Sequence, residues 1–284
     1  MKNEINEIIR LTGCDEKHIE LNDTGFLSRV YIINGGEIVF KFPRSKDTKY
    51  DEEIKSINYF NTLNLKVNLQ RVKWTGEDNS YLGLTGIIGT PLNRVAPENY
   101  NPGDIAKQIS TFAKTLHTQK PDGFPTFTMA ERIADWQSAY LEATGFFKAN
   151  LTPPEYALLD RFIMNYVPDE MNRLGDNPVF SHGDLNSGNI IIDNDGKVGI
   201  IDCAAGYEDQ SVDLANLTNL MEISDIMLDE YGADEALRHK VKLRQDTKPA
   251  RIMTFFLKRN ELDDANSQLR ETKRILAEYK DRIK

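Results

Sequence analysis

Cysteine is nearly absent from this sequence. Only Cys14 and Cys203 occur in 284 residues, with no metal-ligand spacing between them, so a reduced, cytoplasmic setting is expected. No apolar run approaches the roughly 20 residues needed to span a bilayer. The opening Met1-Lys-Asn-Glu-Ile-Asn-Glu7 lacks the apolar core of a signal peptide. Surplus positive charge is missing as well: the net charge is −9, which argues against nucleic acid as the main partner. Internal repeats and low-complexity tracts are absent. What remains is a globular composition, 28% charged and 40% hydrophobic, with length enough for one large or two modest domains.

The most informative stretch runs from Phe180 to Asp202. Asp184 stands two residues after His182, and Asn189 five after Asp184. An apolar run, a turn and a second apolar run ending on Asp202 follow. Asp-Gly at 195–196 is a strong hairpin signal, so Asn189 and Asp202 are expected at opposite ends of one β-hairpin and therefore close in space. Three oxygen-bearing side chains would then converge. Mg²⁺ favours one or two carboxylates with substrate phosphates, and an Asn carbonyl adds another oxygen. Asp-x4-Asn followed by a metal-binding Asp is the apparatus of kinase-like phosphotransferases. A Gly/Asn/Asp-rich loop between strands is the bland alternative.

His182-Gly-Asp184-x4-Asn189 with Ile201-Asp202-Cys203 resembles the aminoglycoside phosphotransferase and choline kinase superfamily. The resemblance runs from Gly25 to about Leu217, sharp at the catalytic stretch and weak after Leu220. It implies a bilobal α+β protein-kinase-like fold. Residues 1–88 would form an N-terminal nucleotide-binding lobe of antiparallel sheet. Residues 89–284 would form a larger, mostly helical lobe with the catalytic loop, metal site and acceptor site. Thr85-Gly-Ile-Ile-Gly-Thr-Pro91 resembles the hinge between lobes.

Other segments take roles by the same resemblance. Gly25-Phe-Leu-Ser28-Arg-Val-Tyr31 is similar to the nucleotide-covering loop of the choline kinase-like branch, which makes Gly25 and Ser28 candidates for phosphate binding; a plain turn is the alternative. In Ile38-Val-Phe-Lys-Phe-Pro43, period two sets Ile38, Phe40 and Phe42 on one face and Lys41 on the other. A Lys in so apolar a strand is costly unless paired. The resemblance makes Lys41 the holder of the α/β-phosphates, with Glu53, or else Glu52, as its partner on a helix over 49–63. Further strands are expected at 70–75 and 81–87, after a hairpin at Asn34-Gly35-Gly36. Helices are expected at 3–11, from Asp104 to Leu116, and over 129–149, 154–174, 214–240 and 250–283. His117 reads as a packed or capping residue, and Asp213 matches a family Asp that fixes the catalytic loop.

The implied activity is a small-molecule kinase. Asp184 would accept or orient the proton of an acceptor hydroxyl, Asn189 and Asp202 would hold Mg²⁺, and ATP or GTP would be the co-substrate. The charge is uneven: residues 1–88 carry 12 Lys and Arg against 13 Asp and Glu, leaving nearly all the acidic surplus to the remainder. That surplus suggests a cationic small-molecule acceptor, with ordinary solubilising surface charge as the alternative; His-Gly-Asp and Ile-Asp-Cys resemble the aminoglycoside kind, and Glu208 and Asp209 face either the acceptor or solvent. Trp136, Tyr140, Phe146 and Phe147 read as core, or as a cage for choline by cation–π attraction. A nucleotide-binding pseudokinase is the rival of another class; it would lack Asp184, Asn189 or Lys41, and all three are present. No membrane or obligate protein partner is implied.

Overall fold

A computed structural model describes residues 1–23, 25, 27–45, 48–217 and 220–283. The first part holds α1 (Lys2–Thr12), β1 (Ile19–Asn22), β2 (Ser28–Ile33), β3 (Ile38–Pro43), α2 (Asp51–Phe60), β4 (Asn68–Leu69), β5 (Val72–Thr75) and β6 (Leu82–Thr85). Five strands form an antiparallel sheet in the order β1-β2-β3-β6-β5. Asn34 and Gly35 both take positive φ (51° and 66°) in the β2–β3 connection, the conformation that Asn-Gly sequences favour. Tyr31, Ile33, Phe40 and Phe42 pack with Ile8 of α1, and each such side chain contributes roughly 1.5–3 kcal/mol by leaving water. Glu4 anchors α1 by accepting from Arg29 and from the Tyr31 hydroxyl.

The second part holds β7 (Thr90–Pro91), α3 (Pro102–His117), α4 (Met129–Glu142), α5 (Thr144–Asn150), α6 (Pro153–Arg161), α7 (Val167–Leu174), β8 (Pro178–Ser181), β9 (Ile190–Ile192), β10 (Val198–Ile200), β11 (Gly206–Asp209), α8 (Ser211–Ala215), α9 (Met221–Tyr231), α10 (Glu235–Lys258) and α11 (Leu262–Tyr279). β4 lies in a four-stranded sheet of order β4-β10-β9-β7, pairing in parallel with β10. One core joins α2, α3, α9 and this sheet; a second joins α4 to α7 with α10 and α11.

Four expectations need correction. The helix expected over 129–149 is divided at Ala143 into α4 and α5. The strand expected at 70–75 begins at Val72, because residues 68–69 have gone to the other sheet. The helix expected over 214–240 is interrupted: α9 ends on Gly232 in the left-handed region, and the Asp234 side chain caps α10 by accepting from the Leu237 amide. Thr218 and Asn219 of that stretch lie outside the described residues. The helix expected from 250 starts instead at Glu235 and runs through Pro249, and the break falls at Asn260, whose φ is 57°. Proline ends helices more often than it is carried inside one. Here the buried face of α10 on both sides of Pro249 holds the helix together across it. Among the described residues, no helix is long and apolar enough to cross a membrane.

Candidate active site

The β9–β10 hairpin sets the geometry. Three isoleucines of β9 and Val198 and Ile200 of β10 are buried, which fixes the register. The Asp193 carboxylate closes the turn by accepting from the amides of Asp195 and Lys197. At the hairpin's open end the Ile201 amide donates to the Asn189 carbonyl, so Asn189 and Asp202 come together as the spacing predicts. The Asn189 amide group donates to Asp184 Oδ2 at 2.8 Å and to its carbonyl at 2.9 Å. Asn186 donates to Asp184 Oδ1 at 2.8 Å. Both carboxylate oxygens are thus oriented, while the side chain stays open to the surface. Burial by the surrounding protein raises the Asp184 carboxyl above its ordinary value, against the lowering by Asn186, His182 and Asn189. Asn186, unmarked by the sequence reading, lies inside the Asp-x4-Asn spacing that the reading singled out.

Lys41 sits between two carboxylates, with its Nζ 2.5 Å from Glu53 Oε1 and 2.5 Å from Asp202 Oδ1. Glu53, not Glu52, makes the contact. Burial alone would lower the Lys41 ammonium, but Asp202 and Glu53 outweigh it and raise it. Glu53 lies in the first turn of α2 with Asp51 and Glu52, where the helix dipole favours negative charge. Asp202 itself has φ 59°, a left-handed backbone that costs a non-glycine residue about 1–2 kcal/mol. Such strain gathers at functional sites. Ser28 opens β2, and its hydroxyl is engaged by the Tyr50 hydroxyl at 2.8 Å. The Gly25 carbonyl accepts from Arg44, and a Cβ on Gly25 would come within 2.7 Å of the Ser28 carbonyl oxygen. Thr24 and Phe26 of this loop lie outside the described residues.

Asp213 holds the loop that carries His182 and Asp184. Its carboxylate accepts from the backbone amides of His182 and Gly183 at 2.8 and 3.0 Å, and His117 Nε2 lies 3.2 Å away. The other ring nitrogen of His117 pairs with the Tyr231 hydroxyl, so this histidine is packed, as expected. His182 is fully buried among Phe60 and Phe112, and burial lowers its imidazole.

Beyond Asp184 opens a cavity of about 350 Å³ between the loop, α4, α8 and α10. Glu208 lines it but is buried and bound by the Arg132 guanidinium through both of its oxygens. Asp209 is buried too, paired with Lys240 at 2.7 Å. Neither carboxylate faces solvent or stands free for a cation. Burial alone would raise the Asp209 carboxyl; Lys240, Ser211 and the Asn177 amide hold it below its ordinary value. Tyr140 and Phe147 are fully buried core residues. Trp136 already carries two cations: the guanidinium carbons of Arg251 and Arg244 lie 4.5 and 5.0 Å from its ring centre. An aromatic cage for choline is therefore not formed by these side chains.

The sequence matches the phosphotransferase enzyme family APH over residues 18–245. The chain belongs to this family. No curated protein matches it. Among solved structures it is similar to the GDP and kanamycin complex of APH(2")-IIIa, at 19% identity and a TM-score of 0.79, covering 98% of this chain and 99% of that one. It is also similar to ADP-bound APH(2")-Ib, at 15% identity and TM-score 0.71, covering 97% and 99%. The macrolide 2'-phosphotransferase MphH of Brachybacterium faecium follows at 14% identity and TM-score 0.62, covering 95% and 98%. The α+β, bilobal kinase-like fold expected from the sequence is the fold of this APH family chain.

The residues present suit Mg²⁺. Because the Asn189 amide nitrogen makes both bonds to Asp184, its carbonyl oxygen is turned away from them. Asp202 gives one carboxylate oxygen to Lys41 and has a second. Among the described residues no group of three His, Cys, Asp or Glu gathers into a cage. Mg²⁺ itself takes few protein oxygens and completes its shell with phosphates and water, so Asn189 and Asp202 offer a ligand set of the size it uses.

Proposed function

We propose that this chain transfers the γ-phosphoryl group of ATP or GTP to a hydroxyl of a small, polyhydroxylated molecule of the aminoglycoside kind. The observation that carries this is the Asp184 carboxylate, held through both oxygens by Asn186 and Asn189 beside the Lys41–Asp202 pair. The related structures are solved with GDP and kanamycin, or with ADP, which supports a nucleotide co-substrate and an aminoglycoside-like acceptor.

In this reading Lys41, braced by Glu53, orients the α- and β-phosphates. Asn189 and Asp202 would hold Mg²⁺, whose charge when bound offsets that of the phosphates. Asp184 aligns the acceptor hydroxyl and takes its proton. The acceptor oxygen bonds to the γ-phosphorus as the bond to the β–γ bridging oxygen breaks, and the nucleoside diphosphate leaves with that electron pair. Positioning and electrostatics supply most of the rate.

A coupled assay over kanamycin and other aminoglycosides, macrolides, choline, ethanolamine and small sugars, run with ATP and with GTP, tests the assignment. Asp184→Asn is expected to lower kcat by at least roughly 100-fold with much less change in nucleotide affinity. Near-normal turnover by that variant would remove Asp184 from the chemistry.

A further inference from the structure

The loop ahead of β2 is tied to α2 by one buried bond, between the Ser28 and Tyr50 hydroxyls at 2.8 Å. Both side chains are buried. Val30 of β2 lies opposite Lys41 of β3, so Ser28, two residues earlier on the same strand, presents its side chain on the face that carries Lys41. Tyr50 immediately precedes α2, three residues before Glu53, and its ring packs in the core that α2 shares with α3 and α9. The hydroxyl pair thus belongs to the two elements that flank the Lys41–Glu53 contact.

Two hydroxyls carry two donor hydrogens, and the bond between them uses one. Among the described residues neither oxygen has a second hydrogen-bond partner. One O–H is therefore left without an acceptor in a buried place, which is costly unless a ligand supplies one. The phenol is the more acidic of the two groups. Burial raises it above its ordinary value, against lowering by Ser28 and Lys41, so it keeps its proton at neutral pH and donates to Ser28. The unspent hydrogen is then that of Ser28, on the same face as the Lys41 ammonium. A phosphate, with negative charge and several acceptor oxygens, satisfies both donors at once.

We infer that Tyr50 is a positioning residue for the nucleotide: by donating to Ser28, it turns the Ser28 hydroxyl hydrogen toward the phosphates that Lys41 holds. Tyr50 acts through Ser28 and does not itself touch the nucleotide. The same bond joins the loop to the helix that carries Glu53, so the loop and the Lys41–Glu53 pair are set together. This rests on the reading of Lys41 as the residue that orients the α- and β-phosphates.

Tyr50→Phe removes one oxygen and keeps the ring in its core, while Ser28→Ala removes the group through which Tyr50 acts. Full chains carrying either change, or both, are titrated with the Mg²⁺ complexes of the β,γ-imido analogues of ATP and GTP, and with adenosine and guanosine. Binding is read from the shift in Tm, and the Tm without ligand reports folding. Tyr50→Phe is expected to weaken the analogue that binds the unmodified chain by roughly threefold to tenfold, the scale of one hydrogen bond. Binding of the matching nucleoside, which has no phosphates, should stay as it was. Ser28→Ala should weaken the analogue at least as much, and Ser28→Thr, which keeps a hydroxyl, should retain most of the affinity. In the double variant Tyr50→Phe should add no further loss, because the group it acts through is gone. Unchanged analogue binding in Tyr50→Phe, an equal loss for analogue and nucleoside, or losses that add in the double variant would overturn the inference. Should Tyr50→Phe not fold, Ser28→Ala carries the test: a loss not confined to the phosphate-bearing ligands overturns it. Failure of both analogues to bind the unmodified chain reads out separately, removing the nucleotide reading itself and this inference with it.

Discussion

At the scale of single residues, the site depends on who holds whom. Lys41 is shared by Glu53 and Asp202, and Asp184 is shared by Asn186 and Asn189. Removing one partner therefore has a specific signature. Asp202→Ala takes away a proposed Mg²⁺ ligand and one of the two counter-charges of a buried lysine. A thermal-shift titration with Mg-ATP is expected to lose most of its stabilisation in this variant, because a ligand stabilises only in proportion to its binding. A full shift would reduce Asp202 to the end of a strand. The contrast with Asp184→Asn, where nucleotide binding is expected to survive and turnover is not, separates the proposed metal-binding role from the proposed proton-accepting one.

At the scale of elements, the loop between β8 and β9 that carries Asp184 is held by backbone as much as by side chains. Gly183 has φ 84°, and a Cβ there would lie 2.3 Å from the Ala204 carbonyl oxygen. Gly183→Ala is expected to destabilise the chain by at least about 2 kcal/mol, from left-handed strain and the clash together. It should also displace the neighbouring Asp184. Denaturant midpoints and kcat measured on the same preparation check this; a fall in neither would mean that the loop relaxes freely. Much of this element was legible beforehand. Asp-x4-Asn, the Asp195-Gly196 turn and the apolar runs around it are local signals, and local signals survive in a single sequence. What escaped is long-range. Nothing in Asn68-Leu69 announces a parallel partner at 199–200, some 130 residues on. Nothing in Glu208-Asp209 announces Arg132 and Lys240, so the sequence leaves these buried carboxylates facing either the acceptor or solvent.

At the scale of the whole molecule, the acidic surplus has lost its best candidates for an acceptor site and acts as a general field instead. A chain of net charge −9 repels an anionic nucleotide at long range and attracts it only through groups such as Lys41 at short range. Raising the ionic strength from about 0.01 to 0.1 M shortens the Debye length from roughly 30 to 10 Å, screening the first effect and sparing much of the second. The association rate of a fluorescent Mg-ATP analogue, followed by stopped flow, is expected to rise over that range. A steep fall would point to a dominant positive field at the mouth of the cleft.

The chain crosses between its two parts more than once, and both crossings run through one sheet. β4 and β7 are the two edges of the β4-β10-β9-β7 sheet, and β5 and β6 between them in sequence belong to the other sheet. Three inter-strand steps separate those edges, roughly 14 Å. Two attachments at that spacing work like a pair of door hinges. Swinging about the line that joins them leaves both strand pairings intact, while twisting or sliding across that line would strain one of them. A swing of one part against the other is expected to follow that line, which would carry Lys41 toward and away from Asp202 without shifting it sideways.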